Sequence, residues 1–321
     1  MKRTVAAILS AVAVLASPAV AQDYPSKPIR VVVPFAPGGG VAVAARILTA
    51  KMNARLGWQF VVENRPGGSG FIAATNVAKS APDGYSFFMA HVGEFAINPA
   101  LFKEMPYDPE RDFVPVNLVC DAPMVYIVNH QSPYHSMKDV VAAAKANPGA
   151  LAYSSAGNGS LNQLSAEWFA QIAGIKLLHV PFKGGSPAAA AVASGEVPFG
   201  VASIPGALPH IKGNRVRVLA VTTAKRTSFQ PSWATLKELG IGDVDANFWV
   251  GLFAPKGTPQ VVVDKVDQEI RQTLQQADVK TRFADAGFDT AGVPSREFSA
   301  RIKLDTARFK AVVDNAGIKP N

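Results

Sequence analysis

Four glycine-rich stretches stand where apolar runs give way to helical ones: PFAPGGG, ending at Gly40, then NRPGGSG (Asn64–Gly70), SSAGNGS (Ser154–Ser160) and KGGSP (Lys183–Pro187). Glycine loses much conformational freedom on folding, so a run of it marks a place where the backbone must come close to something. When such a loop opens a helix, it presents N–H groups with no intrahelical acceptor at the positive end of the helix dipole. That is a seat for an anion, and a carboxylate reaches it because no Cβ stands in the way. Gly39 and Gly40 are the first candidates, with Phe35 and Ala36 leading into them. Turns from strand to helix use glycine for geometry alone, so a single loop says little. Two such loops in each half of the chain point to a ligand lying between the halves.

Polar side chains gather at the same loop tips: Ser69, Glu94, Asn98, Ser155, Asn158, Ser160 and Gln163. Asn98 precedes a proline and Asn158 sits between two glycines, so turn geometry accounts for both equally well. Of the five histidines, His91 alone follows directly on a strand, YSFFMA, where a ligand can reach it. The aromatics near the proposed cleft are Phe35, Phe71, Phe95, Phe182 and Trp249, each ordinarily core material. Trp249 ranks highest because it follows a proposed crossover and an indole fits full burial poorly.

Catalytic patterns fare worse. GSGFIA formally matches a dinucleotide fingerprint at Gly68, Gly70 and Ala73, but NRPG separates it from the strand and spoils the tight turn that motif needs. No glycine run continues into Gly-Lys-Ser/Thr, a nucleophile elbow fails at Phe71, and no Ser-x-x-Lys occurs. The histidines are scattered without metal-ligand spacing. The reading is a binding protein with no catalytic residues, cofactor or metal.

These tips need a scaffold, and the chain supplies one. Continuous β-branched runs such as IRVVVPF, QFVVEN, YSFFMA, MVYIVN, LAYSS, LLHVPF, VPFGVAS, RVRVLAVT and FWVGLFA alternate with alanine-rich helical segments. The helices are placed at residues 41–56, 71–79, 137–146, 163–173 and 187–194. Continuous rather than alternating hydrophobicity implies sheets covered on both faces, the α/β pattern. From Pro259 onward the spacing is helical and amphipathic. Crossovers near residues 121–124 and 245–249 give two lobes: residues 22–122 with 249–321, and residues 123–248 inserted between.

Met1-Lys2-Arg3, the apolar Val5 to Leu15 and Ala19-Val20-Ala21 form a secretory signal over residues 1–21, too short to span a bilayer. The mature chain is therefore expected in the periplasm. The formal charge is +8, Lys2 and Arg3 included, and the basic residues are dispersed. That favours small anions and disfavours nucleic acid. The single cysteine, Cys120, lies among apolar neighbours and reads as a small buried hydrophobe.

In order, YPSKPIRVVVPFAPGGG, VVENRPGGSG, APDGYSFFMAH, INPALF, YDPERDFVPVNLV, YSSAGNGS, HVPFKGGSPA, ALPHIKGNRVRVLAVTTAKR and WVGLFAPKGTP resemble the Bug-type periplasmic solute receptors of tripartite tricarboxylate transporters. The resemblance runs from about Tyr24 to the C-terminus. It implies an α/β two-lobed Venus flytrap, each lobe a sheet flanked by helices, that closes on an organic acid in the interlobe cleft and presents it to a membrane permease. It assigns ligand contact to Phe35, Ala36, Gly39, Gly40 and His91 in one lobe and to Ser155, Asn158, Gly159, Lys183 and Gly184 in the other. Departures from the family pattern fall in the same places. Val41-Ala42 replace Thr-Asp, Ala202-Ser203 replace Asp-Asn, Phe71 replaces Asn, and Gln163 replaces His. Two carboxylates are lost and an aromatic enters, which disfavours amino acids. The expected ligand has a less polar body: an aromatic or longer-chain carboxylate, dicarboxylates included. A monomer is expected. Two other classes fit the same residues: an exported α/β hydrolase-like enzyme acting on carboxylic substrates, and a sensory receptor for the same ligands.

Overall fold

The computed structural model describes residues 24–319; the secretory signal expected over residues 1–21 lies outside the described residues. β1 (Ile29–Val33), α1 (Gly40–Leu56), β2 (Phe60–Asn64), α2 (Phe71–Ala78) and β3 (Ser86–His91) come first, followed by the one-turn helices α3 (Asn98–Leu101) and α4 (Pro109–Asp112). β4 (Phe113–Asn129) leads into α5 (Met137–Ala146), β5 (Ala152–Ser155), α6 (Leu161–Ala173), β6 (Leu178–Pro181), α7 (Gly185–Ser194), β7 (Phe199–Ser203), α8 (Ile204–Lys212) and β8 (Val216–Val221). The chain returns through β9 (Asn247–Pro255) and closes with α9 (Gln260–Leu274), α10 (Ala277–Asp285), β10 (Asp289–Pro294) and α11 (Ser295–Ala316).

Burial explains the continuous apolar runs. Val31 and Val33 of β1 pack with Val41, Ala44, Ala45 and Leu48 of α1, whereas Val32 joins Ala73, Ala74 and Val77 of α2 on the other face. β1 is thus covered on both faces.

The strand order is β2-β1-β3-β9-β4-β7-β5-β6, with β10 and β8 also paired to β4. β4 serves both lobes. From Phe113 to Pro123 it runs antiparallel to β9, with β10 on its other side; from Met124 to Asn129 it pairs with β7 and β8. β1, β2 and β3 are mutually parallel, as are β5, β6 and β7. His91 ends β3 beside Val250, which pairs with Cys120; Ser203 ends β7 opposite Met124. The strand directions converge, so the carboxyl ends of both parallel sets meet over residues 120–124 of β4. Ligands of open α/β sheets lie beyond that edge.

The first half of β4 and the whole of β10 are elements that the hydrophobic runs do not announce. Pro115, Asn117, Asp121 and Pro123 interrupt the pattern, and register shifts between Pro115 and Asn117 and between Leu118 and Cys120 accommodate them.

Charge is concentrated beneath the crossing. Asp121 accepts a hydrogen bond from Asn247 Nδ2 at 2.9 Å and stands opposite Asp289 of β10. Burial, reinforced by Asp289 and opposed by Arg301, pushes the Asp121 carboxyl up to about 6. Arg308 Nη1 reaches Asp245 at 2.6 Å and Arg301 Nε reaches Asp305 at 2.8 Å. Asp289 also accepts from the hydroxyls of Thr227 and Ser228, tying a segment after β8 to the first lobe. Elsewhere Trp168 of α6 meets Phe309 of α11 edge-on at 6.4 Å between ring centroids.

Candidate functional site

In the first lobe, the chain leaves β1 through Phe35 and Ala36 and turns at Gly38, whose φ of +90° suits glycine. Gly39 caps α1 with no side-chain acceptor, and its own N–H points back to Ala36 O at 3.4 Å. The first-turn N–H groups of α1 have no intrahelical acceptor, in a loop where Ala36, Pro37, Gly38 and Gly39 are exposed. Asn64 Nδ2 holds the Phe35 carbonyl at 2.7 Å and fixes the start of the loop. A Cβ on Gly40 would come within 3.3 Å of both Phe248 and Phe288, so an aromatic wall stands against the helix end.

His91 joins that wall. Its ring meets Phe35 at 4.9 Å and Phe248 at 5.2 Å, both edge-on. The Nδ1 atom lies 2.5 Å from Glu94 Oε2, which also accepts the His91 backbone N–H at 3.0 Å. Glu94 is 1% exposed and sits in a π-helical turn, Gly93–Ile97. Gly70 makes room for it, because a Cβ there would lie 2.7 Å from the Glu94 side chain. Glu94 is therefore a support behind His91, aiming the ring. Tyr107 Oη donates to Glu94 O at 2.6 Å, and Asn98 Nδ2 donates to Ser69 O at 2.9 Å. Ser69 and Asn98 thus brace the turn.

Trp249 is the clearest correction. It is 1% exposed, its ring packs edge-on against Phe298, and Nε1 donates to Asp305 at 2.8 Å. Successive strand residues face opposite ways, so its neighbour Phe248 takes the cleft side. The sequence reading missed Phe248 by one position. Phe95 is likewise core, stacked on Phe253 at 3.5 Å. Phe71 packs against Phe102 and Tyr107, not against the α1 loop. Ser203 caps α8, its hydroxyl accepting Gly206 N–H at 3.3 Å.

The second lobe turns its polar groups inward. Ser155 Oγ lies 2.6 Å from His179 Nε2 and accepts Gly157 N–H at 3.1 Å. Gly159 N–H donates to Gln163 Oε1 at 2.7 Å, and Gln163 Nε2 lies 3.3 Å from His179 Nδ1. Ser160 Oγ donates to Gly157 O at 2.6 Å and accepts Gln163 N–H at 3.3 Å, capping α6. Gly159 has φ +72°, and a Cβ there would lie 2.6 Å from Leu101 of the first lobe. Asn158 stands between these two committed glycines. Lys183 is exposed, and Gly184 caps α7 without a side-chain acceptor. His179 was not singled out from the sequence; its contacts join residues 24 and 16 positions apart, which no local pattern displays.

A cavity of about 1060 Å³ lies elsewhere, lined by Phe102, Met105, Arg111, Phe113, Ile302 and Lys303 near the start of β4. Of the residues proposed for the cleft it touches only Phe95. It surrounds none of the helix ends described above, and strand polarity is the firmer guide to the ligand edge. Cys120 is fully buried, and burial pushes its thiol pKa up. Among the described residues no three His, Cys, Asp or Glu side chains converge to hold a metal. No helix among them is long and apolar enough to cross a membrane.

Comparison with known proteins places this geometry. The family model described as "Tripartite tricarboxylate transporter family receptor" matches residues 44–318. Protein BugT of Bordetella pertussis is 33% identical, covering 97% of this chain and 96% of its own. Among solved structures, an R. palustris protein with adipate superposes with TM-score 0.85 at 32% identity, over 93% of this chain and 100% of that one. MatC of Rhodopseudomonas palustris with bound malate gives TM-score 0.80 at 31% identity, over 90% of this chain and 100% of that one. The fold is that of an α/β periplasmic binding protein, and the chain belongs to the tripartite tricarboxylate transporter receptor family.

Proposed function

We propose that this receptor for small organic acids takes a carboxylate with an extended apolar body, adipate-like or aromatic, and hands it to a membrane permease without altering it. The observation that carries the reading is the meeting of two carboxyl edges over β4, with the uncapped amino terminus of α1 and the Glu94-aimed His91 ring at one of them. N–H groups at a helix end stabilise a carboxylate. The Phe35–His91–Phe248 wall suits a body without polar groups. Relatives solved with adipate and with malate support the ligand class. Val41 and Ala42 at the helix start leave no side-chain carboxylate there to hold a ligand amine.

The hinge is assigned to the change of partners at Pro123 and Met124 and to the return of the chain at Asn247, giving lobes at residues 22–122 with 249–321 and at 123–248. A ligand touching both lobes only when they close favours the closed state. Export through the leader at residues 1–21, action in the periplasm as a monomer, and stoichiometric binding without turnover complete the reading. Calorimetry of the purified chain with adipate, terephthalate, citrate and aspartate tests it, alongside native mass spectrometry of the fresh protein. Binding of adipate or terephthalate in preference to aspartate is expected, with the acid recovered unchanged. Tight aspartate binding with no response to either of the first two overturns the ligand assignment, and conversion of the acid overturns the receptor assignment.

A further inference from the structure

The hydrogen bonds of the second-lobe loop have one self-consistent direction. Gly159 N–H can only donate, so the Gln163 atom facing it at 2.7 Å is the carbonyl Oε1. The other end of that amide is NH₂, also a donor, so His179 Nδ1 at 3.3 Å must accept and carries no proton. A neutral imidazole then bears its proton on Nε2 and donates to Ser155 Oγ at 2.6 Å. Ser155 also accepts from Gly157 N–H, and its own proton goes to Gly157 O at 3.2 Å. The surroundings favour the neutral ring. His179 stacks on Tyr153 at 5.1 Å, with Glu167 held beyond by the Tyr153 hydroxyl, and its two ring nitrogens face Ser155 and Gln163. Burial pulls its pKa below the ordinary histidine value.

We propose that His179 and Gln163 are positioning residues of the ligand cleft, running a one-way hydrogen-bond relay from Gly159 to Gly157 that fixes this loop and withholds the Gly159 amide from the ligand. The inference rests on the reading of the cleft as a carboxylate seat. It also has a chemical corollary. His179 donates to Ser155, so it is in the tautomer that cannot take the serine proton, and the pair is a clasp, not a nucleophile with its base. Protonation of His179 would place N–H against NH₂ at Nδ1. The Gln163 amide would then have to turn over and let go of Gly159.

Nitrogen-15 NMR of the imidazoles in the full chain reads which ring nitrogen carries the proton. At pH 7 we expect His179 protonated on Nε2 and bare on Nδ1. Gln163→Glu should reverse this, because a carboxylate accepts from Nδ1–H, and should raise the His179 pKa by about one unit or more. Gln163→Leu, which removes the constraint without adding charge, should give a mixture of tautomers, and it stands in if the Glu variant does not fold. A wild-type ring protonated on Nδ1, or a tautomer indifferent to the substitution, overturns the relay. In the same samples adipate affinity should fall about tenfold in the Gln163→Glu variant; unchanged affinity overturns the positioning role. If adipate fails to bind the wild type, the cleft reading falls, while the tautomer measurement still decides the relay.

Discussion

At the first lobe's edge, the glycines before α1 expose the helix end and leave it without a side-chain cap. At the second lobe's edge, the glycines before α6 fold the loop onto itself, and Gly157, Gly159 and Ser160 each commit their N–H to a partner inside it. Two motifs that read alike in the sequence therefore do opposite work. Glycine content alone does not measure how many donors a loop offers a ligand; the side chains that follow decide. Gln163 and Ser160 consume the donors in the second lobe, whereas Val41 and Ala42 have nothing with which to consume them in the first. One edge leaves its helix-end donors open and the other closes its own.

The sharpest way to break this contrast is Gly39→Val. A Cβ there meets only Ala36 O at 3.5 Å and Phe35 Cβ at 3.7 Å, ordinary contacts, so the fold should survive. The branched side chain would stand over the α1 amides, and adipate affinity should fall about 100-fold with a small change in Tm. Undiminished binding by calorimetry would remove the α1 seat and with it the asymmetry between the lobes.

The joint between the two edges gives the next effect. Burial and Asp289 disfavour the charge of Asp121 and push its carboxyl up to about 6 in the native state, from an ordinary 3.8. The native state therefore holds this proton where the unfolded chain has lost it. The resulting stability is fully present below about pH 4 and is lost as pH rises through about 6. Asp121→Asn, which keeps an acceptor for Asn247, should raise the unfolding free energy at pH 7.5 by roughly 2–3 kcal/mol. It should also flatten the slope between pH 4 and 6. Urea melts across that range check both, and an unaltered slope would mean that the carboxyl ionises freely beneath the crossing.

The smallest effect separates two neighbours. Trp249→Phe deletes the hydrogen bond to Asp305 within the first-lobe core and should cost about 1–2 kcal/mol of stability. Adipate affinity should not change, since Phe248 carries the cleft side of β9. A loss of affinity matching the loss of stability would place Trp249 back at the ligand.

Much of the scaffold was legible because strands buried on both faces are written as unbroken β-branched runs, and residues 137–146 carry their own start signal in the Ser136 capping box. The start of β4 was illegible for the converse reason. Its prolines, Asn117 and Asp121 are tolerated only because bulges and a second partner strand absorb them. The uncapped start of α1 could be read from Gly38 to Gly40, since helix-end amides belong to the backbone. The aromatic wall could not, because telling Phe248 from Trp249 needs the phase of a strand whose first residue is set by pairing with Pro123. The relay through His179 was hidden by distance along the chain, and Glu94 was found as a ligand contact when its carboxylate instead grips the ring in front of it.

β4 has a consequence for how such a chain can change over time. One unbroken strand carries residues of both lobes, Phe113–Pro123 beside β9 and Met124–Asn129 beside β7 and β8, so a shift at one end displaces the side chains of the other. Losing or gaining one residue at Pro123 would leave one lobe correct and turn the other inside out. Loops at either end can lengthen, shorten or be recut, and new guests can be accommodated that way, but the length of this strand is a fixed measure to which both lobes are tuned.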